Sequence, residues 1–144
     1  MNYSRRSQLM PSSPIRKLVP YADQAKSEGV KVYHLNIGQP DIETPKEMYD
    51  AIRNFDEKVL EYGPSAGFLS LRKEIVNYFG RFDIKLDADD VCVTTGGSEA
   101  IMFAMNVACD IGDEVIVFEP FYANYAGYAG MAEIKLVPVT LKAE

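Results

Sequence analysis

The chain has 144 residues with a formal net charge of −6; 47% of its residues are hydrophobic and 25% are charged. These values are typical of a globular domain that is long enough to bury a core. The acidic balance argues against nucleic-acid binding, which requires clustered Lys and Arg, and gives no support for binding an anionic membrane surface.

The first 13 residues are polar and lack the apolar core of a secretory signal. No apolar run approaches the roughly 18 residues that a membrane-spanning helix needs. The two cysteines, Cys92 and Cys109, do not have the spacing of a zinc site. We therefore expect a cytoplasmic protein with reduced thiols and no metal site.

Residues 1–20 contain three prolines and little periodicity, so they predict an arm and not a packed element. Residues 21–28 predict a short helix that is closed by Gly29. Val30–Leu35 alternates like a strand, and the following residues, 37–41, form a turn that contains Gly38.

A second helix is predicted to begin around Thr44-Pro45-Lys46-Glu47. Thr44 can cap it, Pro45 suits the first helical position, and Glu47 completes a capping box. The turn-forming segment Tyr62–Gly67 follows. Leu69–Phe82 then has apolar residues at the helical period and predicts a third helix.

From residue 91 onward the sequence alternates between strand and helix patterns. The predicted strands are Val91–Thr95, Glu114–Phe118 and Ile134–Val139, and the predicted helices between them are Ser98–Cys109 and Phe121–Met131. Such alternation predicts an α/β fold with a mostly parallel sheet that is covered on both faces. Three strands make a poor complete domain, because the sheet would keep open edges. We therefore expect the chain to be the front part of a larger protein.

The segment Thr95–Glu99 joins a predicted strand to a predicted helix through two glycines and a hydroxyl. The backbone N–H groups of Gly97, Ser98 and Glu99, with the Ser98 hydroxyl, could hold a phosphate at the start of the helix. A plainer interpretation is a tight turn in which Ser98 is the N-cap. The segment lacks the GxGxxG pattern and the Walker lysine, which weakens a dinucleotide or ATP hypothesis.

Tyr122 follows the predicted strand that ends at Phe118. Ligands of open α/β sheets bind at the carboxyl ends of the strands, so we expect Tyr122 on the same rim as the glycine segment. An ordinary aromatic residue at a helix start is the alternative. A phosphate site and a flat aromatic side chain together predict a phosphorylated aromatic cofactor.

Two further residues have both a functional and a structural interpretation. The hydroxyl of Tyr62 could reach a phosphate, or Tyr62 could belong to a surface turn. Gly38 could let a substrate lie against bare backbone, or it could be a turn glycine with positive φ. His34 is the only histidine, and we interpret it as structural.

Five short motifs resemble the amino-terminal part of the class I and II pyridoxal-phosphate (PLP) aminotransferases, the aspartate aminotransferase family. They occur in the family's order and cover almost the whole chain from about residue 14. The motifs are Leu35-Asn36-Ile37-Gly38-Gln39-Pro40-Asp41, Tyr62-Gly63-Pro64-Ser65-Ala66-Gly67-Phe68, Val93-Thr94-Thr95-Gly96-Gly97-Ser98-Glu99-Ala100, Gly112-Asp113-Glu114-Val115-Ile116-Val117 and Glu119-Pro120-Phe121-Tyr122-Ala123-Asn124-Tyr125.

The resemblance implies a fold type I PLP-dependent transferase, present as its N-terminal arm, its first helices and the first βαβ units of the large domain. Residues 1–44 would then be the arm and a small-domain segment, and residues 45–144 the incomplete start of the PLP-binding domain. The parent would be a homodimer with shared active sites that acts on an amino acid and a 2-oxo acid, with no nucleic-acid or membrane partner.

The resemblance also implies individual roles. Gly38 resembles the glycine whose N–H meets the substrate carboxylate, and Tyr62 the tyrosine that reaches the cofactor phosphate of the neighbouring subunit. Gly97, Ser98 and Glu99 resemble the phosphate-binding turn. Tyr122 resembles the aromatic residue that stacks on the pyridine ring.

The family's Schiff-base lysine would lie beyond residue 144, and Lys135 and Lys142, which flank the last predicted strand, do not match its context. We therefore expect an aminotransferase fragment, transaminating an amino acid such as aspartate in the parent, that is inactive alone and has no catalytic residue of its own. The alternatives are a non-catalytic half-domain that binds phosphate or PLP with a partner, another PLP reaction such as a C–S lyase, and a Rossmann-like nucleotide-binding domain. The last alternative lacks its glycine motif.

Overall fold

The computed structural model describes residues 2–142, which form two compact units. The first unit combines Met1–Gly38 with Gly96–Glu144, and the second is Gln39–Thr95. These units are defined within this chain, so the division of the parent protein at residues 44 and 45 stays a prediction.

The first unit contains four helices and two strands among its described residues, together with a 3-10 turn at Arg16–Leu18. The helices are α1 (Arg5–Leu9), α2 (Val19–Ser27), α5 (Gly97–Ala108) and α6 (Asn124–Ala132), and the strands are β1 (Glu114–Glu119) and β2 (Lys135–Thr140). The second unit contains α3 (Lys46–Arg53), α4 (Leu69–Gly80) and a 3-10 turn at Ala88–Asp90.

Strands β1 and β2 are parallel, and their register pairs Glu114 with Lys135 and Glu119 with Thr140. Helix α6 connects them, as parallel strands require a crossover. Alternate residues of β1 are exposed, which is the period expected of a strand with one covered face. The predicted α/β architecture with a parallel sheet is therefore present as one βαβ unit.

The best-buried side chains of the described residues lie around the end of α6. Ala129 is 3% exposed and Ile134 is 8% exposed. Glu133 lies between α6 and β2 with a φ of 56°, and the amide of Ile134 donates to the carbonyl of Ala129 at 3.0 Å. This reversal brings β2 back alongside β1.

The arm at residues 1–20 contains α1 and packs against α6, so the prediction that it is not a packed element is wrong. The side chain of Ser4 caps α1 by accepting from the amide of Ser7 at 3.2 Å. Arg6 pairs with Glu133 at 2.5 Å. The arm approaches α6 at Gly127, where a Cβ would lie 3.6 Å from Cε of Met10, an ordinary van der Waals contact.

Helix α3 begins one residue later than the sequence pattern predicts. Pro45 occupies the N-cap and not the first helical position, and no side chain makes a capping hydrogen bond there. The predicted capping box of Thr44 and Glu47 is therefore wrong. Pro45 has no side-chain acceptor for the first amides of α3, but its fixed φ suits the start of a helix.

Two predicted strands, Val30–Leu35 and Val91–Thr95, are not strands in the structure. Alternating apolar and polar residues give a segment one apolar face, but a β-strand also needs an adjacent strand that pairs with its N–H and C=O groups. In the second segment, the amide of Val93 donates to the carbonyl of Ala66 at 3.0 Å. No helix among residues 2–142 is long and apolar enough to cross a membrane.

Candidate functional site

The glycine segment forms the start of α5. Gly96 is the N-cap with an extended backbone, and Gly97 is the first helical residue. Ser98 is thus the second helical residue, and the interpretation of Ser98 as the N-cap is wrong. A Cβ at either glycine would meet no atom within 4 Å, so the space in front of this backbone is open.

The first amides of α5 point out of the helix, as they do at every helix start. Within residues 2–142, the N–H groups of Gly97 and Ser98 donate no hydrogen bond. The amide of Glu99 donates to the carbonyl of Gly96 at 3.1 Å. Two unpaired amides at the positive end of the helix dipole are suited to an anion, while the third predicted amide already has an acceptor.

The Ser98 hydroxyl is held by a residue that the sequence reasoning missed. The hydroxyl of Tyr128, on α6, donates to Oγ of Ser98 at 2.6 Å. A short hydrogen bond of this kind fixes the rotamer of a small side chain that would otherwise rotate. Tyr128 therefore sets where the Ser98 oxygen lies beside the open amides.

Tyr122 lies in the connection between β1 and α6, past the carboxyl end of β1, as predicted. Helix α6 begins at Asn124 and not at Phe121, because the carbonyl of Tyr122 first accepts the amide of Tyr125 in a turn. The ring of Tyr122 meets that of Tyr125 edge to face, with centroids 5.7 Å apart. The side chain is still 50% exposed, which leaves surface for a second flat ring.

Asn124 was also missed by the sequence reasoning. Its Nδ2 donates to the hydroxyl of Tyr122 at 2.6 Å. Asn124 and Tyr128 are four residues apart on α6 and so lie on one face of the helix. One helix face thus holds both the hydroxyl of Ser98 and the ring of Tyr122. The sequence signal was present as two polar side chains at i and i+4 in a helix that is otherwise rich in Ala and Gly.

Gly38 and Tyr62 are the other two predicted site residues, and they belong to different units of the chain. Gly38 belongs to the first unit; its φ is not positive, so the interpretation as a positive-φ turn glycine is wrong. A Cβ there would meet no atom within 4 Å. Tyr62 belongs to the second unit, and its side chain is fully exposed. Among residues 2–142 no three His, Cys, Asp or Glu side chains are grouped as metal ligands would be.

Comparison with protein families gives a match to the model for aminotransferase class I and II over residues 30–144. The chain is 36% identical over 138 residues to an aspartate aminotransferase of Pyrococcus horikoshii, covering 94% of this chain and 34% of that protein. It is 34% identical to the (5-formylfuran-3-yl)methyl phosphate transaminase of Methanocaldococcus jannaschii, covering 81% of this chain and 32% of that protein.

A solved structure of aspartate aminotransferase from Thermotoga maritima superposes with a TM-score of 0.85 at 30% identity. The match covers 96% of this chain and 37% of that structure. The chain spans about a third of the length of the curated relatives it matches. The predicted fold, that of the amino-terminal part of a fold type I PLP-dependent transferase, is confirmed. This chain belongs to the class I and II aminotransferase family.

Proposed function

We propose that the protein to which this chain belongs is a PLP-dependent aminotransferase that moves an amino group between an amino acid, such as aspartate, and a 2-oxo acid. The observation that supports it best is that one face of α6 holds both Ser98, at the open start of α5, and the half-exposed ring of Tyr122. A phosphate group and an aromatic ring are the two parts of PLP that such an arrangement would bind.

The residues at the start of α5 fit the phosphate. The unpaired amides of Gly97 and Ser98 would donate to its oxygens, and the Ser98 hydroxyl, held by Tyr128, would add a third contact. The glycine backbone leaves room for the group to approach. Glu99 was predicted to contribute its amide as well. That amide donates to the carbonyl of Gly96 in this structure, so a contact between it and the phosphate stays a prediction.

The ring of Tyr122 would stack on the pyridine ring and restrict its tilt. Asn124 contacts the hydroxyl of Tyr122 and Tyr125 contacts its ring, and half of the Tyr122 side chain stays exposed for a second ring. PLP, when bound, supplies the electron sink for chemistry at the substrate Cα. The proposed roles of Gly38 toward the substrate carboxylate and of Tyr62 toward a neighbouring subunit's phosphate rest on the family resemblance.

We also propose that the 144-residue chain does not transaminate alone. The lysine that attaches the cofactor and moves the proton is expected beyond residue 144, so this chain would orient the cofactor without converting it. A homodimeric parent and a cytoplasmic location stay predictions. The alternative, a binding half-domain that needs a partner, makes the same prediction for the isolated chain.

The test has two steps on the isolated chain. PLP binding is measured by absorbance, and borohydride reduction followed by peptide mapping then shows which lysine, if any, is attached to PLP. We expect saturable binding that inorganic phosphate competes away, and no single lysine that is fixed preferentially. Ser98→Ala should weaken binding, whereas Ser70→Ala, at an exposed serine of α4, should not. Absence of saturable binding would contradict the cofactor proposal, and one stoichiometrically fixed lysine would contradict the inactivity proposal.

Sequencing the coding region past the codon for Glu144 then separates the aminotransferase from the half-domain. A frame that continues to a strand-end lysine supports the aminotransferase. A stop codon with no such continuation supports the half-domain.

A further inference from the structure

A large pocket lies within the first unit, between the arm and the carboxyl ends of β1 and β2. Its volume is about 1140 Å³, and the residues that line it come from 10–17, 119–128 and 140–141. Small-molecule sites typically occupy about 300–1,000 Å³ and are mostly apolar with a few placed polar groups. The pocket therefore has the size of a ligand site.

The walls of the pocket are apolar, and its charged groups are mostly basic. Phe121, Tyr128 and Leu141 supply aromatic and aliphatic surface. Arg16 and Lys17 supply two cationic groups, neither of which has an ion-pair partner among residues 2–142. This composition suits a ligand with an apolar body and an anionic end.

The acidic side chain that lines the pocket does not neutralise these cations. The carboxylate of Glu119 accepts a hydrogen bond from Oγ1 of Thr140 at 2.8 Å, and it makes no ion pair within the described part of the chain. Two positive charges against one negative charge leave the described lining with a net positive charge. An anion would be attracted to it, more strongly at low ionic strength.

The basic residues are held in place because the arm is anchored on α6. The Arg6–Glu133 pair and the contact of Met10 with Gly127 fix the arm before the pocket. The amide of Arg16 then donates to Oγ of Ser13 at 3.4 Å and helps to start the 3-10 turn that carries Arg16. The cations are thus presented by an ordered turn.

The pocket adjoins the proposed cofactor site. Asn124 and Tyr128 both line it, and these are the residues that hold Tyr122 and Ser98. A ligand in the pocket would therefore lie next to the proposed position of PLP.

We propose that this pocket binds a carboxylate with a bulky apolar body, whose ring packs on Phe121 and Tyr128 and whose carboxylate faces Arg16 and Lys17. The proposal does not depend on the proposed function, whose amino-acid substrate would meet Gly38 with its carboxylate. Binding itself requires no cofactor, so the two proposals can fail separately.

The experiment is saturation-transfer NMR on the 144-residue chain without PLP, using 3-phenylpropionate as the probe. Succinate, acetate and neutral 3-phenylpropanol serve as comparison ligands. The double variant Arg16→Gln/Lys17→Gln should weaken 3-phenylpropionate binding about tenfold, as expected for losing a charge-assisted contact. It should leave the weaker binding of the alcohol unchanged. The matched variant Arg5→Gln/Lys26→Gln removes two exposed charges from α1 and α2, outside the pocket, and should have no effect.

Several results would overturn the proposal. These are tighter binding of succinate than of 3-phenylpropionate, equal losses in the two double variants, and no saturable binding at all. PLP binding, measured on the same samples by absorbance, reports separately on the proposed function.

Discussion

The hydroxyl of Tyr128 lies 2.6 Å from Oγ of Ser98, although the two residues are 30 positions apart. This contact joins the start of α5 to the middle of α6, on the helix face that also carries Asn124. The position of the Ser98 oxygen therefore depends on α6 and not only on the glycine turn.

Removing the Tyr128 hydroxyl should weaken PLP binding by the isolated chain. Tyr128→Phe keeps the ring but leaves Ser98 without its donor, and a neutral hydrogen bond is worth about 1 kcal/mol, or about fivefold in affinity. Tyr125→Phe, on the same helix, is the control, since its hydroxyl makes no hydrogen bond within residues 2–142. Equal affinities of the two variants in an absorbance titration would show that Tyr128 does not position Ser98.

The ring of Tyr122 is expected to contribute stacking and not its hydroxyl. Tyr122→Phe loses the hydrogen bond from Asn124 but keeps the ring, so it should bind PLP more tightly than a variant without the ring. Tyr122→Leu should bind about two- to tenfold more weakly, because an aromatic pair contributes about 0.5–1.5 kcal/mol. A circular-dichroism signal of the bound cofactor that disappears in Tyr122→Leu would support stacking. An effect of the same size in both variants would contradict it.

Two glycines should respond in opposite ways to alanine. Gly67 has a φ of 93°, and a Cβ there would lie 2.5 Å from Cγ2 of Val93, so Gly67→Ala should lower the free energy of unfolding by about 1–3 kcal/mol. Gly127 lies inside α6, where a Cβ would be 3.6 Å from Met10, an ordinary contact. Gly127→Ala should raise the free energy of unfolding by about 0.5–1 kcal/mol through helix propensity.

Thermal or urea unfolding measures both changes. A stabilising Gly67→Ala would mean that the turn around Val93 relaxes easily. A destabilising Gly127→Ala would mean that the arm packs on α6 more tightly than its distances indicate.

The isolated chain should associate with itself. Ile116 is 68% exposed and Phe118 is 61% exposed on the same face of β1. Contiguous apolar surface next to an open sheet edge favours such contacts. Ile116→Lys should therefore shift the sedimentation distribution toward the monomer, whereas Ser70→Lys, which adds the same charge on α4, should not. A monodisperse monomer in the unmodified chain would refute the expectation.

Local sequence patterns predicted most helices to within a few residues. Helices α4 and α5 have apolar residues at the helical period over twelve residues, and their predicted starts are within one residue of the observed ones. The strands that pair, β1 and β2, were also predicted, because each is a β-branched run beside a turn. Val91–Thr95 has a similar composition but is not a strand in the structure. Strand formation depends on an adjacent strand to pair with, which a local sequence pattern does not reveal.

The candidate site was predicted in part for the same reason. Gly97, Ser98 and Tyr122 stand in recognisable motifs, so their chemistry could be predicted from the sequence. Asn124 and Tyr128 make their hydrogen bonds only once the chain has folded, and the sequence around each residue does not indicate its partner. Gly and Ser are both common N-cap residues, so the sequence alone did not distinguish Gly96 from Ser98. The backbone conformation of the folded chain shows that Gly96 is the N-cap.

The ion pair between Arg6 and Glu133 also has a consequence for biosynthesis. The two residues are 127 positions apart, so Arg6 leaves the ribosome long before the segment on which it docks has been made. At about 5–20 residues per second, the arm waits for about 6–25 s before its docking surface exists. During that time its apolar side chains, such as Met10, face the solvent or a chaperone, and the pocket cannot form until the nascent chain has passed α6.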